Sequence, residues 1–221
     1  MIKKDYFSDF IKDLSFREQI YEKIKRLIIL NKLKPGERLV EVSLAKSMNI
    51  SRGPLREALN RLDVEGYVDI LPHKGTIVHQ VDQREVIDTF DFFNILYYHL
   101  IISVFDKITP SEIAPFIDEL ESIDISNINK DDFMDIKIDI DHKFYISFLI
   151  PKNGNMVFAK YIDILHGKIH WYRSISKVIR PFENSIKDRI AIYQAIKKKD
   201  KHLIYLAVMK NSEDSKKYSI V

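Results

Sequence analysis

The chain has 221 residues, of which 46% are hydrophobic and 30% are charged, and its formal net charge is +3 at pH 7. This composition is typical of a folded globular protein with one large or two smaller domains, and it excludes a disordered chain. The absence of cysteine excludes a disulfide scaffold, a thiolate zinc site and a cysteine nucleophile. No segment approaches 18 uncharged apolar residues and acidic residues lie near the N-terminus, so we expect no membrane span, no signal peptide and a cytoplasmic protein.

The charge is unevenly distributed along the chain. Residues 1–81 contain 15 Lys and Arg against 11 Asp and Glu, a net of +4, whereas residues 82–221 contain 20 against 21, a net of −1. The N-terminal third is therefore where we expect a polyanion such as nucleic acid to bind.

The first elements predict a helix-turn-helix. Residues 1–14 are interpreted as a loosely held arm, and apolar residues at helical spacing predict a helix over residues 16–30 that ends at the Pro35-Gly36 turn. A second short helix is predicted over residues 41–48. A tight turn at Asn49-Ile50 separates it from a third helix, and two short helices joined in this way form a helix-turn-helix.

The third helix is predicted to begin at Arg52, because Ser51 is a good N-cap and a proline in the first turn costs nothing. At about 100° per residue, its apolar positions fall on one side: Leu55, Ala58, Leu59 and Leu62. The polar positions and one glycine fall on the other: Arg52, Gly53, Arg56 and Asn60. A basic face of this kind suits a DNA major groove, although a solvated amphipathic helix would show the same pattern.

A hairpin is predicted after this helix, which Gly66 ends. Residues 67–71 and 76–81 have strand character, and the sequence PHKG at 72–75 forms the tip between them. A basic hairpin tip that follows a helix-turn-helix indicates a winged helix, and the tip is suited to a phosphate backbone or a minor groove.

These motifs together resemble the DNA-binding domain of the GntR family of bacterial transcription regulators. The matching residues are KPGERL (34–39), SLA (43–45), SRGPLREAL (51–59), Leu62, EG (65–66) and HKG (73–75). The resemblance implies that Arg52 and Arg56 read bases and phosphates, with Ser51 and Gly53 at the groove entrance. It also implies that the wing residues approach the minor groove: His73, Lys74 and Gly75. Gly53 stands where a side chain is commoner in the family, which removes one contact.

No strand pattern is found from Asp82 onward. Helices are predicted over residues 83–107, 110–123, 131–149, 155–178, 184–198 and 201–211 or slightly beyond, with breaks at SNIN (126–129), at PKNGN (151–155) and at Pro181. The expected fold is therefore mostly α, with a winged helix carrying a two-stranded wing at residues 1–81 and an antiparallel bundle of about six helices at residues 82–221. The bundle resembles the effector-binding and dimerisation domain of the FadR branch of the family.

Metal binding is common in that branch, through an Asp, a His one helical turn later and two further His on the last two helices. The Asp corresponds to Asp141 here, but the three His positions correspond to Tyr145, Arg189 and, within a few residues, Asn211. A phenol, a guanidinium and an amide do not hold zinc or nickel as imidazoles do. We therefore expect no metal cofactor, and these four residues are the candidate lining of an effector cavity.

Arg189 has two open interpretations. It could form a bidentate pair with a carboxylate effector in place of the metal, or it could pair with Asp141 and close the cavity. The family's usual Arg and Glu on the first bundle helix are replaced by Phe93 and Tyr97. A more aromatic cavity favours a more apolar effector, or none.

A second, weaker metal candidate is the stripe Asp163, His166 and His170, at positions i, i+3 and i+7 of one helix, with His142 on a neighbouring helix. Such a stripe is more often a polar edge of a core than a metal site.

No catalytic motif is found, so an enzyme is not expected. The sequence predicts a DNA-binding regulator, a repressor that binds a palindromic operator as a homodimer and responds to a small effector, with carboxylates as one candidate class. Two alternatives stay open. The helical domain could be a metal-binding or enzymatic module tethered to DNA, or the winged helix could bind protein.

Overall fold

The structure is a computed structural model that describes residues 14–126 and 128–221. The predicted N-terminal arm lies, up to residue 13, outside the described residues. The chain separates into two compact units that divide between Val81 and Asp82.

The first unit contains three helices and a small sheet. The helices are α1 (Phe16–Ile29), α2 (Glu41–Met48) and α3 (Arg52–Val64). The strands are β1 (Arg38–Leu39), β2 (Val68–Leu71) and β3 (Gly75–Val78), in the antiparallel order β1-β3-β2. The predicted two-stranded wing is thus joined by a third strand. Two residues are too few for an alternating apolar pattern, so the sequence did not reveal β1.

Local sequence explains where α3 begins and ends. The helix begins at Arg52 as predicted, but the Ser51 side chain makes no capping hydrogen bond. At the other end Gly66 adopts a φ of +74°, and its N–H donates to the Asp63 carbonyl over 2.9 Å. This left-handed glycine is the predicted helix stop, and it turns the chain directly into β2.

The second unit is all-helical in its described residues. Its elements are α4 (Gln83–Ser103), a 3-10 turn (Phe105–Lys107), α5 (Pro110–Glu121), α6 (Lys130–His142), a π-helical segment (Lys143–Leu149), α7 (Ile150–Asn153), α8 (Met156–Ile175), α9 (Phe182–Lys197) and α10 (Lys201–Lys217). No helix among the described residues is long and apolar enough to cross a membrane.

Several predicted boundaries are corrected by the structure. The wing strand predicted over residues 76–81 is Gly75–Val78, and the helix predicted over residues 155–178 is Met156–Ile175. The first bundle helix ends at Ser103 rather than residue 107, where a 3-10 turn takes over. Pro151 does not break its helix, because it occupies the start of α7, where a missing N–H is tolerated after the π-helical segment. The helix does end within the predicted break at residues 151–155, at Gly154, whose φ is +75°. The last helix continues to Lys217, because its final turns pack through buried serines that give no apolar pattern.

Large aromatic side chains fill much of the core of the helical unit. The largest fully buried ones are Trp171, Tyr97, Tyr145, Tyr172, Tyr193, Phe90 and Phe144. The apolar face of α8 is only partly buried. Ile162, Ile169 and Tyr172 are in the core, whereas Val157 and Tyr161, nearer the start of the helix, are 66% and 50% exposed.

Candidate DNA-binding surface and buried polar cluster

The polar side of α3 faces solvent. The apolar side chains on its other side are buried, and α3 packs on α1. The predicted DNA-contacting positions are all exposed: Ser51, Arg52, Gly53, Arg56 and Asn60. A side chain added at Gly53 would meet no atom within 4 Å, so the backbone there is open to a close approach.

Glu41, the first residue of α2, holds the two arginines of this surface. Its carboxylate accepts a hydrogen bond from Arg56 Nε at 2.8 Å and lies 3.6 Å from Arg52 Nη2. The hydrogen bond from Arg56 lowers the pKa of Glu41 and so favours its charged form. Both guanidiniums are thereby gathered near one point, at the end of the helix that would enter a groove.

The hairpin tip is exposed at each predicted contact residue, His73, Lys74 and Gly75. His73 and Gly75 have φ values of +62° and +84°. These left-handed conformations allow a tight reversal, closed by a hydrogen bond from the Lys74 N–H to the Leu71 carbonyl at 3.1 Å. The reversal leaves the Lys74 side chain at the outer end of the wing.

The predicted cavity residues of the helical unit lie together. Asp141 near the end of α6, Tyr145 in the π-helical segment, Arg189 on α9 and Asn211 on α10 line one cavity. The side chains leave room in it for about one water molecule. The cavity is closed in this structure.

Arg189 closes it. Its guanidinium forms an ion pair with Asp141 and donates a hydrogen bond to the Tyr145 hydroxyl. Burial alone would raise the pKa of Asp141, but the Arg189 charge together with the neighbouring His166 and His170 outweighs burial and holds that pKa well below its usual range. Of the two interpretations of Arg189, this structure therefore contains the pair with Asp141.

The aromatic replacements also reach this cavity. Phe93 stacks on Tyr97 with ring centroids 5.8 Å apart, and the Tyr97 ring meets that of Tyr145 edge-on at 4.7 Å. Burial raises the pKa of Tyr97 to about 12, so its hydroxyl stays protonated.

The two histidines of α8 are grouped with Asp141 rather than with the predicted Asp163. Asp141 Oδ2 lies 3.4 Å from His166 Nε2 and 3.3 Å from His170 Nε2, and the two nitrogens are 2.9 Å apart. Burial, then the neighbouring His166, lowers the pKa of His170 well below its usual value. The spacing along one helix predicts Asp163 as the partner of the two histidines, whereas in the structure their carboxylate partner is Asp141 on α6.

These residues fit a metal ion only in part. At the positions that correspond to the family's metal ligands, the guanidinium of Arg189 already pairs with the Asp141 carboxylate, so those residues do not fit a metal ion. Zinc bonds of about 2.0–2.2 Å at tetrahedral angles place ligand atoms roughly 3.3–3.6 Å apart. The distances from Asp141 Oδ2 to the nitrogens of His166 and His170 match this spacing, whereas the 2.9 Å between the two nitrogens is shorter. The Asp141 carboxylate, however, already balances the charge of Arg189, which disfavours a metal ion at this group.

Sequence reasoning missed three further cations near this cluster: Lys137 on α6, Arg173 on α8 and Arg180 before α9. They line a second cleft that shares Arg173 with the first cavity. Lys137 lies one helical turn before Asp141, and this spacing is the sequence feature that could have placed it beside the cluster.

Comparisons with known proteins agree with both units. Residues 16–78 match the family described as bacterial regulatory proteins, gntR family. An uncharacterized HTH-type transcriptional regulator of Bacillus subtilis (strain 168), YdhC, is 25% identical over 184 residues, which cover 83% of this chain and 81% of that protein. The HTH-type transcriptional regulator McbR of Escherichia coli (strain K12) is 24% identical over 199 residues, 86% of each chain.

Solved structures share the fold. The structure of E. coli McbR/YncC covers 90% of this chain and 94% of its own, with a TM-score of 0.67 at 20% identity. A putative GntR transcriptional regulator from Rhodococcus sp. RHA1 covers 92% and 97%, with a TM-score of 0.69 at 15% identity. Residues 16–78 are therefore a winged helix-turn-helix domain of the GntR family, and the whole chain is similar to transcriptional regulators such as McbR and shares their fold, in which an all-helical domain follows.

Proposed function

We propose that this regulator is a cytoplasmic repressor that binds a palindromic operator as a homodimer and is released by a small effector bound in the helical domain. The observation that carries the proposal is the exposed arginine pair at the start of α3, gathered by Glu41 on a helix whose other side is buried.

In this proposal α3 enters the major groove. Arg52 and Arg56 exchange Glu41 for guanine edges and phosphates, because a guanidinium can bind O6 and N7 of guanine with two hydrogen bonds. Ser51, Gly53 and Asn60 complete this contact surface. The wing residues follow the neighbouring minor groove or its phosphates: His73, Lys74 and Gly75.

Exposed apolar side chains support the homodimer. On α4, Phe92 is 49% and Ile95 is 64% exposed, and on the adjoining α8, Met156 is 77% and Val157 is 66% exposed. A protein that acts as a monomer rarely shows so many large apolar side chains on two adjacent helices. A two-fold pair would present two α3 helices to two half-sites of a palindrome.

The proposed effector cavity lies around Asp141, Tyr145, Arg189 and Asn211. Since Arg189 fills it in the closed state, an effector has to displace the guanidinium from Asp141 or to bind beside it. Either event changes the packing between α6, α9 and α10, and it can alter DNA affinity only if it favours one state of the protein over the other.

Operator binding by single variants tests the DNA-binding assignment. Arg52→Ala and Arg56→Ala should each weaken specific binding by about 1–3 kcal/mol if the side chain pairs with guanine. Fluorescence anisotropy with an operator duplex selected from random DNA measures this, and Arg84→Ala on α4 is the control. If both variants bind the selected duplex as tightly as the parent protein, α3 is not the reading helix.

A metal-binding helical domain is the second candidate, and the spacing of Asp141, His166 and His170 favours it. Elemental analysis of protein purified without added metal separates the two. One tightly held transition metal per chain, lost in His166→Ala and His170→Ala, would establish the metal site and contradict our expectation of an ion pair without a metal.

A further inference from the structure

We propose that Arg38 on β1 enters the minor groove beside the proposed α3 site and gives the wing a preference for A·T pairs there. This inference rests on the proposed DNA-binding function and deepens it, because it adds a contact residue outside α3 and the hairpin tip and names the base pairs that this residue selects. Arg38 lies on the strand that sequence periodicity did not reveal.

The small sheet carries Arg38 to the wing. Arg38 is paired with Ile77 of β3, and the next residue, Leu39, is buried, so the Arg38 side chain lies on the solvent side of the strand. Its guanidinium lies against the hairpin tip, since a Cβ built on Gly75 would be 3.8 Å from both Nε and Nη2 of Arg38. Because Gly75 has no side chain, the guanidinium packs directly over the backbone of the tip, one residue from Lys74.

The charge of Arg38 is available to a ligand. The side chain is exposed, and it forms neither an ion pair nor a hydrogen bond with any residue in the ranges 14–126 and 128–221. Two acids of the same unit are engaged elsewhere. The carboxylate of Glu37 accepts a hydrogen bond from the Lys34 N–H at 2.8 Å, and that of Asp69 on β2 lies 2.9 Å from His79 Nδ1. The wing therefore offers a guanidinium that these acids do not neutralise.

The chemistry of a guanidinium favours the minor groove over a phosphate contact alone. A narrow minor groove over A·T pairs has an enhanced negative potential that attracts arginine side chains. A guanidinium is flat and more weakly hydrated than an ammonium, so Arg38 loses less hydration than a lysine would on entering such a groove.

The same groove at a G·C pair is unfavourable for Arg38. A·T pairs show only acceptors in the minor groove, adenine N3 and thymine O2, whereas a G·C pair adds the N2 amino group of guanine. A guanidinium has only donors, so at G·C it meets another donor in place of an acceptor. The preference for A·T over G·C follows from this difference.

Base-pair replacement in an operator duplex tests which groove is read. The duplex is selected from random DNA with the full chain, and each of its A·T pairs is replaced in turn by G·C and by inosine·C, which lacks the minor-groove amino group but matches G·C in the major groove. We expect a position in each half-site at which G·C weakens binding about tenfold and inosine·C restores it, as measured by fluorescence anisotropy. If no position behaves in this way, the proposal is wrong.

Variants assign the preference to Arg38. Arg38→Ala and Arg38→Gln should bind the A·T and G·C forms of the duplex almost equally, with the thermal midpoint of the parent protein. Lys23→Ala, at an exposed lysine of α1, should keep the preference of the parent. An Arg38→Ala protein that keeps the preference, or that weakens all duplexes by one factor, would overturn the proposal.

Failure of this inference is distinguishable from failure of the proposed DNA-binding function. If Arg52→Ala and Arg56→Ala lose operator binding while both Arg38 variants bind every duplex as the parent does, α3 reads DNA and Arg38 does not. If the full chain selects no duplex from random DNA, the DNA-binding function itself is wrong.

Discussion

At the scale of single residues, the ion pair between Asp141 and Arg189 sets the charge balance inside the helical core. Both side chains are almost completely buried, at 2% and 5% exposure. A buried pair gains little over an apolar replacement of both partners, but removing one partner strands a charge in a medium that solvates it poorly. Arg189 thus balances the charge of Asp141 inside the core.

Arg189→Met should therefore lose about 3–5 kcal/mol of unfolding free energy at pH 7, because Asp141 is left buried without its partner. Urea unfolding measures the loss, and adding Asp141→Asn to the same chain should recover much of it. Asp141 has a depressed pKa in the folded state. Its stabilising contribution is thus complete above the unfolded value of about 3.9 and is lost as the pH falls through the folded value. An Arg189→Met protein as stable as the parent at pH 7 would show that the pair does not hold the core.

Sequence alone could find part of this site. The resemblance to the FadR branch was enough to group Asp141, Tyr145, Arg189 and Asn211, which lie on α6, the π-helical segment, α9 and α10. Sequence alone could not group His166 and His170 with Asp141. The spacing along α8 places Asp163 beside the two histidines, whereas Asp141 reaches them only because α6 packs on α8. Lys137 and Arg173 were missed for the same reason: they lie on different helices, and only the packing of those helices brings them to one cleft.

At the scale of elements, the sequence predicted regular pieces better than irregular ones. The limits of α2 and the start of α3 follow from turn residues and apolar spacing, which are local. The strand β1 exists only because β3 pairs with it, and the π-helical segment carries no periodic signature. The end of α10 depends on Ser212 and Ser215, which are buried through small size and hydrogen bonds rather than apolar character.

The wing is the element whose role is easiest to isolate. If Lys74 contacts phosphate, Lys74→Ala should weaken binding to operator and to random duplex by similar factors. It should also reduce the slope of log affinity against log salt by about one. Anisotropy titrations at four salt concentrations measure both effects, with Lys160→Ala as a control that should leave the slope unchanged. A loss confined to the operator would instead indicate that Lys74 reads a base.

At the scale of the whole molecule, the proposed function depends on joining two copies. One α3 contacts a single half-site, whereas a homodimer contacts two and so gains the second contact at high effective concentration. The surface that can join the copies is the apolar face shared by α4 and α8, since its side chains would otherwise lie in water.

Placing a charge in that face should therefore separate the subunits and weaken operator binding together. Ile95→Lys and Val157→Lys each bury an unpaired ammonium if the face is an interface, which is strongly unfavourable. Sedimentation velocity should then show a monomer, and anisotropy should show affinity for the full palindrome falling toward that for a single half-site. Leu206→Lys, at a side chain 48% exposed on α10, is the matched control and should remain dimeric. If Ile95→Lys and Val157→Lys stay dimeric, the subunits meet through another surface. If they become monomeric yet bind the palindrome as before, operator recognition does not need the dimer.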